Sequence, residues 1–310
     1  MKKLLLSAII VTGGLISCNQ NNIEEGAFNQ KREVTFASKI VNVSEPKTRA
    51  SGQTWHAEDS IGIYMLNSDG DVVVENRNNV KYINDKESSE GKDIFKPDNE
   101  IIYFPNDDSY VKFMSYYPYT KSITNDIYKV DVSSQTSLPA IDLLYSFDKS
   151  TEYNKATVNK IVKLTFDHQL TKININVKPG EELPDDYLDE LSVHIEGLNT
   201  TADFNLMTGV LDNTGNETDI STRGTTAVVG YNSSFEAIVL PEDPTGAKIV
   251  FDLNNGDGGN NDMFSWTFKE KMFEKSTEYN YNVIIKRSGI VVEATINPWK
   301  NGGTSDIEAE

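Results

Sequence analysis

The chain holds one cysteine, Cys18, in 310 residues. A single thiol closes no internal disulfide, so the fold is not a disulfide scaffold. Basic residues are scarce: 29 Lys and Arg stand against 47 Asp and Glu, a formal net charge of -18. Such a surface repels nucleic acid and disfavours polybasic contact with lipid headgroups. After Cys18 no segment stays apolar for the roughly 18 residues a membrane-spanning helix needs. The three histidines, His56, His168 and His194, show no paired metal spacing such as HExxH. Neither a GxSxG elbow, a Gly-rich phosphate loop nor a cysteine nucleophile is present in the body. An enzyme is therefore not expected, nor a metal or a cofactor. His168, in "FDHQL" between two strand-like runs, reads as a hydrogen-bonded corner residue. "DLNNGDGGNND" (252–262) invites a calcium reading and fails it: counted from Asp252, Gly256 takes a ligand position and Asp257 takes the place of the required Gly. It reads as a hairpin loop.

What is present begins with the head, "MKKLLLSAIIVTGGLISC". Lys2 and Lys3 precede an apolar run from Leu4 to Ile16, the pattern of a secretory signal over 1–17. "LISC" matches the lipobox of bacterial lipoproteins, with cleavage before Cys18 and lipidation of that residue. Each buried lipid methylene contributes about 0.8 kcal/mol, so several acyl chains anchor firmly to an outer membrane. Removing Lys2 and Lys3 takes the charge from -18 to -20. Residues 18–32 are polar and acidic, a tether, and Glu24 and Glu25 resemble an acidic surface-export signal.

The body reads as strand after strand. "EVTFASKIVNV" (33–43), "SIGIYML" (60–66), "EIIYF" (100–104) and "SYVKFMSYYPY" (109–119) are β-branched and aromatic. "KIVKLTF" (160–166) and "TKININVK" (171–178) alternate apolar and polar residues, so one face packs and the other meets water. Further runs at 247–253, 262–268, 279–286 and 289–296 continue the pattern, separated by Asn, Asp, Gly and Ser clusters of turn composition. Only "ELPDDYLDEL" (182–191) looks helical. Many short strands with polar connections predict an all-β protein built of sandwiches. The polar stretch 148–159 places the boundary between an N-terminal domain, 33–157, and a C-terminal one, 158–310. Phe264, Trp266 and Phe268 alternate as core residues do, and most aromatics are assigned to core. Tyr116, Tyr117 and Tyr119, beside Pro118, are the candidates for a surface platform that stacks on sugar rings.

Taken in order, several short motifs resemble the fimbrillin family, lipoprotein-derived type V pilins of anaerobic Gram-negative bacteria. They are the lipobox at Cys18, "VTFASKI" followed by "KTRA" and "TWHAEDSIGIYML", then "YFP", "YYPY" and "DLLYS", then "LTFDHQLTKININV", "YNYNVIIK" and "INPW". The resemblance runs over nearly all of the chain after Cys18. It implies two transthyretin-like β-sandwich domains in tandem, export as a lipoprotein, and cutting by an Arg-specific protease after the first strand. It implies that the cut releases that strand and that a neighbouring subunit's strand fills the groove. Arg49 and Ala50 flank the expected cut. Pro46 disfavours continuation of strand or helix there and leaves Arg49 in an extended loop. Losing 33–43 would expose unpaired backbone and an apolar slot. The sequence departs from shaft subunits in its Gly-rich, acidic tail after Trp299, a poor donor strand, which leans towards a tip or accessory role. The rival reading is a lipid-anchored glycan-binding protein that keeps its first strand and never polymerises, with a host or dietary glycan or protein as ligand.

Overall fold

A computed structural model describes residues 31–40, 55–85, 93–156, 161–253 and 262–299. Cys18, Arg49, Ala50 and most of the loop at 252–262 lie outside them.

The regular structure of the described chain is almost entirely strand, as the alternation predicts. The first half supplies β1 (Thr35–Ile40), β2 (Ser60–Asn67), β3 (Val80–Asp85), β4 (Asp93–Pro97), β5 (Val111–Tyr117), β6 (Ile127–Asp131), a single helical turn α1 (Leu138–Ile141), β7 (Leu144–Phe147) and β8 (Ile161–His168). The second half supplies β9 (Thr171–Pro179), β10 (Leu191–Glu196), β11 (Asn199–Asn205), β12 (Val210–Glu217), β13 (Ile220–Ser221), β14 (Arg223–Thr225), β15 (Ser233–Val239), β16 (Lys248–Leu253), β17 (Asp262–Thr267), β18 (Thr277–Lys286) and β19 (Gly289–Pro298). The helix expected over 182–191 shrinks to a 3-10 turn, Asp185–Leu188, because Pro184 precedes it and Leu191 already enters β10. "EIIYF" forms no named strand; Tyr103 makes an isolated bridge to Glu33, and Ile102 and Phe104 pack into the barrel core.

The first unit is one closed sheet, in the order β1-β4-β3-β2-β5-β7-β8 with β8 returning to β1. The interior is apolar, from Val34 and Phe36 through Ile61, Ile63, Tyr82 and Phe95 to Phe113 and Phe166. The expected boundary at 157/158 therefore falls differently: β8 belongs to this closed sheet, pairing antiparallel with β7 and parallel with β1. The second unit is a two-sheet sandwich. A sheet ordered β13-β10-β16-β17 faces one ordered β14-β15-β9-β18-β19. Ile173, Ile175, Val177, Tyr281 and Val283 from one sheet pack on Val193, Ile195, Ile249 and Phe251 from the other.

A third core joins the units. Tyr64, Leu66, Met114 and Tyr116 of the barrel pack with Phe204, Leu206, Ile238, Leu240 and Trp299 of the sandwich side. A three-stranded sheet β12-β11-β6 crosses the same junction, with β6 lent by the first half. Gln135 clamps it further: its amide donates to the carbonyls of Val132 at 2.6 Å and Ile238 at 2.9 Å and accepts from the Ile238 N–H at 2.8 Å. This junction explains why β2 and β5 are buried on both faces and read as continuous apolar runs. Gly62 is required there, because a Cβ would collide with the Tyr116 ring.

Trp299 closes the junction. It is 2% exposed and stacks on His168, with ring centroids 3.6 Å apart and planes 12° from parallel. Its backbone N–H donates to the Ser276 carbonyl at 2.6 Å. Replacing a fully buried Trp with Ala costs about 3–5 kcal/mol. Trp299→Ala is expected to lower stability by that amount and to do so in one transition, because both units share the core it leaves. Urea denaturation followed by tryptophan fluorescence and by far-UV circular dichroism checks it; two separated transitions in the parent chain would show the units to be independent.

Candidate functional site

The seat of β1 is the most distinctive feature of the barrel. β1 lies between β4 and β8. It pairs with β4 antiparallel from Phe36↔Phe95 to Ser38↔Asp93, and with β8 parallel from Thr35↔Ile161 to Ile40↔Phe166. Upstream, the Val34 N–H donates to the Ile102 carbonyl and the Phe104 N–H to the Arg32 carbonyl, each at 2.9 Å. The inward row is Val34, Phe36, Ser38 and Ile40. Phe36 is fully buried and meets Tyr82 and Phe113 edge-on, both at 5.1 Å between centroids. Val34 and Ile40 are 1% and 8% exposed. Burying three such side chains contributes about 5–9 kcal/mol. The Ser38 hydroxyl is buried in this apolar row with no hydrogen-bond partner among the described residues.

The chain leaves β1 at Ile40 and is next described at Trp55. Both residues border one small cavity of about 20 Å³, together with Tyr117 and Asp142. Trp55 is 2% exposed and packs edge-on against Phe95, Tyr117 and Phe166 at 5.1, 5.3 and 5.2 Å. Ile40 and Trp55, the described residues on either side of 41–54, both belong to the barrel core.

The tyrosines separate. Tyr116 is fully buried and donates its hydroxyl to Asn79 Oδ1 at 2.7 Å. Tyr117 is 8% exposed and donates to Asp59 Oδ1 at 3.2 Å. Burial raises the pKa of both hydroxyls, and the Asp59 carboxylate adds to the rise at Tyr117. Neither is a surface platform, because β5 packs on both faces. Tyr119, half-buried, lines an open cavity of about 420 Å³ with Tyr64, Asn79, Lys121, Asn125 and Asp126 among its walls. Apart from Tyr119 these residues were not legible as a site; the signal was two Asn-rich turns, "NRNN" (76–79) and "TND" (124–126), in which Asn79, Asn125 and Asp126 take left-handed backbone with φ of 52°, 53° and 59°.

The histidines are placed without a catalytic grouping among the described residues. His168 Nδ1 lies 2.9 Å from Asp142 Oδ1, both buried, the hydrogen-bonded corner expected of it. His56 is exposed. His194, Glu196 and Asp219 bring three ligand-type atoms within 4.8 Å of one another, but Lys248 already holds Glu196 at 2.9 Å and lowers its carboxyl pKa with His194.

The described chain is a strand-closed barrel joined through a shared core to a two-sheet sandwich, an all-β architecture. A model of the fimbrillin-like family matches residues 48–299, and the chain belongs to that family. A Bacteroides uniformis protein named as a candidate fimbrium subunit, Fim1C, is 29% identical over all of this chain and 99% of its own length. The crystal structure of a candidate cell adhesion protein from Bacteroides uniformis superposes with a TM-score of 0.71 at 29% identity, covering 87% of this chain and 98% of that one. A candidate cell adhesion protein from Bacteroides ovatus shares the fold, with a TM-score of 0.66 at 21% identity over 87% of this chain and 98% of that one.

Phe36→Ala is expected to destabilise the chain by about 3–5 kcal/mol. Lys39→Ala, on the exposed side of the same strand, is expected to change stability by less than about 0.5 kcal/mol. Denaturant titration of both variants measures the contrast; equal losses would show that β1 is not held by its inward row.

Proposed function

We propose that the protein is a non-enzymatic, cell-surface fimbrial subunit that works by exchanging a strand. In this reading it is exported as an outer-membrane lipoprotein through Cys18, and an Arg-specific protease cuts between Arg49 and Ala50. β1 then leaves, and a strand from another subunit takes its place. The observation that carries the reading is the seat of β1: one short strand closes the barrel between β4 and β8, and a segment carrying Arg49 follows it. Without β1 the first unit is an open sheet from β4 round to β8. Its two free edges flank a slot lined by Tyr82, Phe95, Phe113 and Phe166. An incoming strand running as β1 does would complete one antiparallel and one parallel ladder. An open sheet of this kind, paired with the two-sheet second unit, is the form in which the tandem transthyretin-like arrangement would hold.

The position within a filament follows from β19. All ten of its residues pair with β18, from Lys286↔Gly289 to Thr277↔Pro298, and Trp299 is buried immediately after. Donating β19 would strip that ladder and extract an indole from the shared core. The slot can be emptied by one cut; the far strand cannot. The reading favoured is therefore an acceptor at a tip or accessory position, with other fimbrial subunits as partners.

The test is the N-terminus of the protein recovered from the native cell surface, read by mass spectrometry, in the parent and in Arg49→Ala. The expected result is a terminus at Ala50 in the parent and its absence in the variant, which then no longer enters filaments. A lipidated terminus at Cys18 without any Ala50 species would overturn strand release and leave the anchored binding protein that never polymerises.

A further inference from the structure

We infer that the open cavity beside β5 is a binding site for a neutral saccharide. Its volume of about 420 Å³ falls in the range of roughly 300–1,000 Å³ typical of small-ligand sites. Two observations point to a ligand rather than to a bare surface hollow. The first is Tyr64, whose side chain is 1% exposed yet forms part of the cavity wall. Its hydroxyl has no hydrogen-bond partner among the described residues, and burial followed by the Asp126 carboxylate raises its pKa. It stays a neutral O–H, able to donate one hydrogen bond and accept others. The second is the polar rim. Asn78, Lys121, Asn125 and Asp126 all line the cavity, and their side chains make no hydrogen bond or ion pair among the described residues. Asn79, by contrast, is fixed: Tyr116 donates to its Oδ1 at 2.7 Å and its Nδ2 donates to the Thr120 carbonyl at 2.9 Å. A held frame therefore carries unpaired donors and acceptors.

The class of ligand follows from the mixture. Tyr119 and Ile123 give the wall an aromatic and an aliphatic surface, suited to the C–H face of a sugar ring. Lys81, which is not part of the wall, places its ammonium 5.8 Å from the Tyr119 ring centroid and steadies the ring from outside the cavity. The side amides, the tyrosine hydroxyl, one ammonium and one carboxylate match a ring bearing several hydroxyls. The single positive and single negative charge cancel, so neither an anion nor a cation is favoured. β1 forms no part of the wall, and the inference stands whether or not that strand is released.

The test uses the uncut full chain, with methyl glycosides of glucose, galactose, mannose, fucose and N-acetylglucosamine as probes, each at about 10 mM so that millimolar affinities register. Saturation-transfer NMR reads binding, and titration reads affinity. At least one glycoside is expected to bind. Tyr119→Ala should then weaken it at least about tenfold, the worth of a stacked ring. Tyr64→Phe keeps the buried ring, removes only the unpaired hydroxyl and should weaken binding roughly threefold to tenfold, with a Tm no lower than the parent's. Absence of transfer to all five glycosides overturns the inference. So does binding that both variants leave unchanged.

Discussion

A closed sheet has no edge, and the first unit achieves closure through one six-residue strand that holds two ladders of opposite sense. While the chain is continuous, β1 is covalently tethered to its own slot, so its return there is an intramolecular event. An external strand would have to displace a partner that never leaves the neighbourhood. Once the link is broken, a departed strand returns only by a bimolecular encounter. In the proposed exchange the contacts of β1 would then no longer decide the competition, and the stronger ladder and better row of side chains would win. The unpaired Ser38 hydroxyl matters here. A buried hydroxyl without a partner costs about 1–3 kcal/mol, so β1 fills its slot less well than an all-apolar row would.

The alternation at 161–168 and 171–178 was enough to identify β8 and β9, but only β8 turns its polar face to water: Lys172 and Asn176 of β9 are 5% and 8% exposed, and Lys172 is held by Glu236 at 3.1 Å. Period alone names a face and not a partner, and the polar stretch 148–159 placed the expected boundary ahead of β8. Its true neighbour, β1, lies far earlier in the chain, and nothing local records that pairing. "SYYPY" misled for a related reason. A run of aromatics beside Pro118 suits a surface platform equally well, but β5 has one face in the barrel and the other in the shared core, so Tyr116 and Tyr117 are both consumed by packing. Tyr119 escapes because it lies past the end of β5. The cavity it lines draws its other walls from two turns that the sequence keeps apart, so only the fold brings Asn79 and Asn125 together.

The double burial of β2 and β5 has a mechanical consequence. Ile61, Ile63, Met65 and Phe113 face the slot; Tyr64, Leu66, Met114 and Tyr116, on the opposite faces of the same strands, face the second unit. Emptying the slot removes packing from one side only. The opposite faces remain held by the shared core, by the β6–β11 ladder and by the Gln135 clamp. A lone barrel that lost a strand would hold its remaining strands only by their own ladders and a half-emptied interior. This barrel is braced from behind, which is the condition for an emptied slot to persist long enough to be filled.

The brace and the slot meet at one buried pair. Asp142 borders the small cavity beside Ile40 and Trp55, and its carboxylate meets His168 at 2.9 Å. His168 ends β8, the strand to which β1 is laddered in parallel, and its ring lies against Trp299. The strand that closes the barrel and the residue that closes the sandwich are therefore joined through two side chains. Extracting Ile40 and freeing Trp55 would admit water to Asp142, and a hydrated carboxylate competes less strongly for the imidazole than a desolvated one. Trp299 depends on that imidazole for the flat surface it stacks against. Ile40 pairs with Phe166 of β8, β8 ends at His168, and His168 stacks on Trp299, so the seat of β1 and the end of β19 meet along one strand.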